Sequence, residues 1–112
     1  MSLNLTYQEK NAVIKVLMDI AWADGKITDG EESYFQQMRN FFGASNSDIE
    51  EASKMSVVAS LTILKNMSQE QKLALAYMMR EMITVDGEIH ENEKQIFEAV
   101  CINIEVQFPA DN

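Results

Sequence analysis

An all-α fold, a single helical domain of two pseudo-symmetric helix–turn–helix halves, is what the sequence predicts, and three observations carry it. Apolar residues recur at helical spacing and no alternating strand pattern competes with them. Four capping boxes mark helix starts. The motif Asp-Gly-x-Ile-x-x-x-Glu occurs twice, at an offset of 86 − 24 = 62 residues.

In chain order, the pattern predicts helices over 7–23, 29–42, 48–54, 56–66, 69–85 and 91–105. The boxes are Thr6-x-x-Glu9, Thr28-x-x-Glu31, Ser47-x-x-Glu50 and Ser68-x-x-Gln71. In each, the two side chains reciprocally satisfy N–H groups that the first helical turn leaves unpaired. The stretch 57–64 is rich in β-branched residues, but a lone strand has no partner, so helix is the expectation there.

At the 62-residue offset, Asp24, Gly25, Ile27, Glu31 and Phe35 fall on Asp86, Gly87, Ile89, Glu93 and Phe97. Upstream, Val13, Val16, Leu17, Ile20 and Ala21 fall on Leu75, Met78, Met79, Met82 and Ile83, all apolar. Two copies are too few for a solenoid, so the expectation is a pair of units packed face to face. Gly25 and Gly87 are expected at positive φ, and Ile27 and Ile89 to anchor the turns inward. Between the copies, Gly43 reads as a helix C-cap. Ala52, Met55, Val58, Ala59, Leu61, Thr62 and Leu64 are expected to pack against both halves, fusing residues 1–108 into one domain with 109–112 as a tail.

Composition bounds what such a domain can do. The chain has 112 residues, 46% hydrophobic and 24% charged, so a core needs neither disulfide nor metal staple. Eighteen acidic against nine basic residues give a formal charge of −9. That sign repels phosphate backbones and anionic lipid, which argues against nucleic acid and for cations or basic protein segments. Cys101 stands alone in an apolar run and reads as a buried thiol. The opening residues lack a signal peptide's basic and apolar parts, and no run is long enough to span a bilayer, so direct membrane insertion is not expected and the cytoplasm is.

Two readings of the repeated acids stand side by side. In one, Asp24 and Asp86 accept turn N–H groups while Glu31 and Glu93, at the third helical position, cap and complement the helix dipole. In the other, Asp24, Glu31, Asp86 and Glu93, with Asp29, Glu32, Glu88 and Glu91 close by, gather oxygens for a divalent cation such as Ca²⁺, Mg²⁺ or Mn²⁺. An EF-hand is ruled out. Its first and third loop positions fall on Ile20 and Trp22 in one copy and on Met82 and Thr84 in the other, and none is a carboxylate.

The stretches 19–31 and 82–93, with the Ser68-x-x-Gln71-Lys72 helix start between them, resemble the TerB-like family, the tellurite-resistance TerB proteins and their relatives. The resemblance covers nearly the whole chain. It implies an all-helical fold in two related halves, cytoplasmic location and action within stress-response and membrane-associated assemblies. It also implies that acids near the turns chelate a metal or form a binding face, here Asp24, Glu31, Asp86 and Glu93. Kinship of fold does not carry the tellurite phenotype with it.

Catalytic machinery is not expected. His90 alone could exchange protons near neutrality; it reads as a cap or surface residue, its first-copy counterpart being Thr28. No phosphate-cradling loop, nucleophile elbow or zinc helix is present. Met18, Met38, Met78, Met79 and Met82 lie at core spacing, and Trp22 reads as core or a partly exposed contact. The expectation is a non-enzymatic binding module for a divalent cation or a basic protein partner. The alternative is a structural or oligomerising adaptor without metal, and self-association is compatible with either.

Overall fold

Thr6, Thr28 and Ser68 open helices with reciprocal capping boxes to Glu9, Glu31 and Gln71, as their spacing predicts. The computed structural model describes residues 3–107. They form α1 (Tyr7–Ala21), α2 (Asp29–Phe42), α3 (Asn46–Lys54), α4 (Val57–Lys65), α5 (Gln69–Thr84) and α6 (Glu91–Ile104). No strand occurs among the described residues. The expected tail, 109–112, lies outside them.

One start differs from the expectation. The third box is Ser45 with Asp48, not Ser47 with Glu50, so α3 begins at Asn46. Gly43 closes α2 at φ +64, and its own N–H and that of Ala44 return to Asn40 and Arg39 carbonyls at 3.1 and 2.9 Å. Only one residue then separates that C-cap from the next N-cap, so the earlier serine captures the new helix's N–H groups first.

α1 is the hub, touching all five other helices, and it buries Val13, Val16, Leu17, Ile20 and Ala21. Their repeat partners on α5 are buried too, except Met78, which packs partly exposed against the same core. Exchanging α1 with α5 and α2 with α6 turns the α1–α6 contact into the α5–α2 contact, and both exist. The duplication read in the sequence is thus a pseudo-two-fold in space. Burial at this density is the main stabilising term, about 1.5–3 kcal/mol for each large aliphatic side chain removed from water.

The middle segment packs by one face only. α4 turns Ser60 and Leu64 inward, one helical turn apart, and places Val58, Ala59 and Thr62 outside, with Val58 74% exposed. A helix of nine residues against one neighbouring surface can bury a stripe, not its circumference. The expectation that Val58, Ala59 and Thr62 pack against both halves is therefore corrected, while Ala52, Met55, Leu61 and Leu64 do join the core.

Candidate functional site

Each turn is built the same way. α1 ends and Gly25 bends the chain at φ +80, its N–H donating to the Trp22 carbonyl at 2.9 Å. After α5, Gly87 does so at φ +78, donating to the Thr84 carbonyl at 3.0 Å. Matching φ values and matching bonds at equivalent residues give the two Asp-Gly bends one conformation, which glycine adopts without the cost a Cβ would impose. The turns differ in their anchors. Ile27 packs against the core as expected, but Ile89 is 50% exposed, a correction to the symmetric expectation.

The pseudo-two-fold brings the bends together. At the start of α2, Glu31 accepts the Thr28 N–H through Oε1 at 2.9 Å and, despite its charge type, is only 1% exposed. At the start of α6, Glu93 is equally buried and its carboxyl lies close enough to that of Glu31 to share a proton with it. Burial, the shared bond and repulsion from Glu31, Asp24 and Asp86 push the Glu93 carboxyl up to about 8. When both carboxyls are ionised, Glu31 Oε2 and Glu93 Oε1 are buried without a donor among the protein's own N–H and O–H groups. Ionised carboxylates only accept, so such oxygens need a proton or a cation between them.

Asp24 and Asp86 stand nearer solvent above this pair. Asp24 Oδ1 accepts from Asn92 Nδ2 at 2.8 Å, and Asp86 Oδ1 accepts the Glu88 N–H at 3.1 Å, closing an Asx-type turn. His90 lies between them, Nδ1 3.8 Å from Asp24 Oδ2 and Nε2 3.5 Å from Asp86 Oδ2. The backbone of α2 leans on the opposite bend, where a Cβ added to Gly30 would come 3.6 Å from Asp86 Cβ.

All four acids predicted from sequence are thus drawn into one place. Asp24, Glu31 and Glu93 line an open pocket of about 430 Å³ with Lys26, Thr28, His90, Glu91 and Asn92, and Asp86 closes in through His90. Of the neighbouring acids named with them, Glu91 lines the pocket, while Asp29, Glu32 and Glu88 are solvent-exposed and do not. Among the described residues, no three His, Cys, Asp or Glu side chains already stand in a metal-holding arrangement. The donors gathered here are oxygens of the type hard cations take, two buried ones of Glu31 and Glu93 below and the Asp24 and Asp86 carboxylates above.

Asn92 is what sequence reasoning missed, and the reading of His90 as a cap is corrected. His90 occupies the N-cap of α6 without any side-chain cap bond, unlike Thr28 at the equivalent place on α2. The available signal was a break in the repeat: Thr28 and Gly30 are replaced by His90 and Asn92 in the copy that reaches across to the other bend. A larger cavity, about 470 Å³, lies between α1, α4 and α6, but its walls are mainly aliphatic and its Lys15 and Asp19 pair with each other at 3.0 Å. The titratable chemistry is in the smaller pocket.

The family model described as tellurite resistance protein TerB matches residues 1–54, α1 through α3 and the first bend. Over those residues the chain is similar to TerB. The second bend, the geometric copy of the first, lies outside the matched residues. A crystal structure of a protein of unknown function from Porphyromonas gingivalis W83 superposes with a TM-score of 0.78 at 19% identity, covering 96% of this chain and 90% of that one. At that identity the similarity is one of fold, and it spans both halves of the chain. No curated protein matches it.

Proposed function

We propose that the chain is a non-enzymatic TerB-like binding module whose two bends form one acid site for a divalent cation. The observation that supports this best is the pair of buried, donorless oxygens, Glu31 Oε2 and Glu93 Oε1, beneath Asp24 and Asp86. A cation seated there would supply the charge those oxygens lack. Asp24 and Asp86 would swing onto it, Asp24 giving up Asn92, since no ready-made ligand set exists without such closure. With a net charge of −9, the surrounding face would favour a basic segment of a partner protein.

Cytoplasmic placement and a part in stress response follow only from the TerB likeness and belong to this proposal. The structure adds that no helix among the described residues is long and apolar enough to cross a membrane.

A second reading has its own observation. Glu93, held protonated up to about pH 8, can share its proton with Glu31, and that bond makes the pair a structural clasp between the halves of a metal-free adaptor. Calorimetric titration with Ca²⁺, Mg²⁺ and Mn²⁺ at pH 7.5–8.5 separates the two. Binding by wild type that is lost in Asp24→Asn/Asp86→Asn supports the cation site. No heat and no rise in melting temperature up to about 1 mM, the weak end of oxygen-ligated sites, would leave the adaptor.

A further inference from the structure

Two of the differences between the copies, at His90 and Asn92, point into the same place. Where the first copy has Thr28, which caps α2 through its hydroxyl, the second has His90, which caps nothing. Losing such a cap typically costs about 0.5–2 kcal/mol. Where the first has Gly30, packed against the far bend, the second has Asn92, whose amide holds Asp24.

The imidazole lies between the carboxylates of the two bends, although among the described residues no three such groups already converge on one point. Its Nε2 and Nδ1 stand 3.5 and 3.8 Å from one oxygen each of Asp86 and Asp24, wider than the roughly 2.7–3.2 Å of a well-formed N–H···O bond. Two donors bound about 2.1 Å from one ion at tetrahedral to octahedral angles are themselves about 3.0–3.4 Å apart. The Nε2–Asp86 pair is therefore within a small rotation of sharing an ion. The buried Glu31 and Glu93 oxygens, unpartnered in the ionised state, supply the independent sign that this pair lacks a positive partner.

We propose that His90 is a ligand of this site and turns it from a hard-cation site into one for a borderline d-block dication, of the Mn²⁺-to-Zn²⁺ class, in preference to Ca²⁺ or Mg²⁺. This rests on the cation-site reading above and adds the class of ion. Oxygen-only sites suit Ca²⁺ and Mg²⁺, whose hard charge gains little from nitrogen, whereas an imidazole beside carboxylates strengthens binding of later dications. An ion shared by Nε2 and Asp86 would leave Nδ1 turned toward Asp24 of the other bend.

The test compares wild type with His90→Gln, which keeps a polar side chain at a partly exposed position, by calorimetry with Mn²⁺, Co²⁺, Zn²⁺, Ca²⁺ and Mg²⁺. Visible spectra of the Co²⁺ form and histidine-selective NMR accompany it. The expected result is Co²⁺ and Zn²⁺ affinity reduced about 10-fold or more in His90→Gln, Ca²⁺ affinity unchanged, and a Co²⁺ spectrum and His90 ring signals that report nitrogen ligation in wild type. Equal losses for all ions, or ring signals unmoved by Zn²⁺, would overturn the role of His90 while leaving the carboxylate site standing. Failure of wild type to bind any of the five ions would remove the site itself, and this inference with it.

Discussion

The carboxyls of Glu31 and Glu93, equivalent residues of the two halves, face each other at the pseudo-two-fold within reach of a shared proton, each residue 1% exposed. Two carboxyls can bond to each other only if one keeps a proton, and burial strengthens the requirement because the charged forms are the ones desolvated. The contact between halves is thus tied to protonation or to whatever positive charge replaces the proton.

Stability is expected to fall as pH rises across the range set by this pair. Glu93 ionises near 4.5 in an open chain and near 8 in the fold. Between those values the folded state holds a proton the unfolded chain has released, so raising pH favours unfolding, and the contribution is complete below about 4.5 and gone above about 8. Urea midpoints in chelator-containing buffer from pH 5 to 9 measure it. Glu93→Gln should flatten the slope over that interval, and an unchanged slope in the variant would remove Glu93 as its source.

The two helix starts flanking the site should respond unequally to truncation. Thr28 caps α2 through a full box with Glu31, whereas His90 offers α6 no side-chain acceptor. Thr28→Ala is expected to cost about 0.5–2 kcal/mol in metal-free buffer, and His90→Ser to gain a few tenths to about 1 kcal/mol by restoring a cap. Thermal or denaturant melts of the two variants check the signs. Destabilisation by His90→Ser without metal would mean that His90 itself holds the fold.

Much of this was legible in the chain because it follows from local chemistry. Capping boxes at Thr6, Thr28 and Ser68 and glycines at the two bends depend on residues within four positions of each other, and all appear where the spacing placed them. The convergence of Asp24, Glu31, Asp86 and Glu93 was legible through the duplication, since copies that pack face to face bring equivalent residues toward the axis. The burial of Glu31 and Glu93 was not, because capping alone leaves an N3 glutamate free to face water. Ile89 and Val58 misled for a related reason: periodicity says which residues share a face, but only the neighbouring helices decide whether that face is covered.

Cys101 should be inert in the folded protein. It is fully buried on α6, and burial with the nearby Glu98 pushes its thiol up to about 11, so little thiolate exists at neutral pH and none is accessible. Labelling with a thiol reagent at pH 8 is expected to proceed only through opening of the fold, slow in buffer and rapid in denaturant. Fast native labelling would place α6 off the core.

Alanine at Gly25 and at Gly30 separates backbone strain from steric room. An added Cβ at Gly25 meets nothing within 4 Å, yet φ is +80; at Gly30 it meets Asp86 and Val85 at 3.6–3.7 Å, ordinary contact distance. Crowding alone would rank Gly30→Ala as the worse change. The left-handed conformation reverses that order, since a side chain there costs roughly 1–2 kcal/mol whatever the space, while alanine in a helix regains about 0.5–1 kcal/mol over glycine. Gly25→Ala should therefore lower the denaturation midpoint and Gly30→Ala leave it level or raise it, with Gly87→Ala, at φ +78, behaving like Gly25→Ala. If Gly30→Ala proved the more damaging, the first turn of α2 would be pressed against the second bend more tightly than 3.6 Å contacts allow, and the closeness of the two acid turns would itself be under strain.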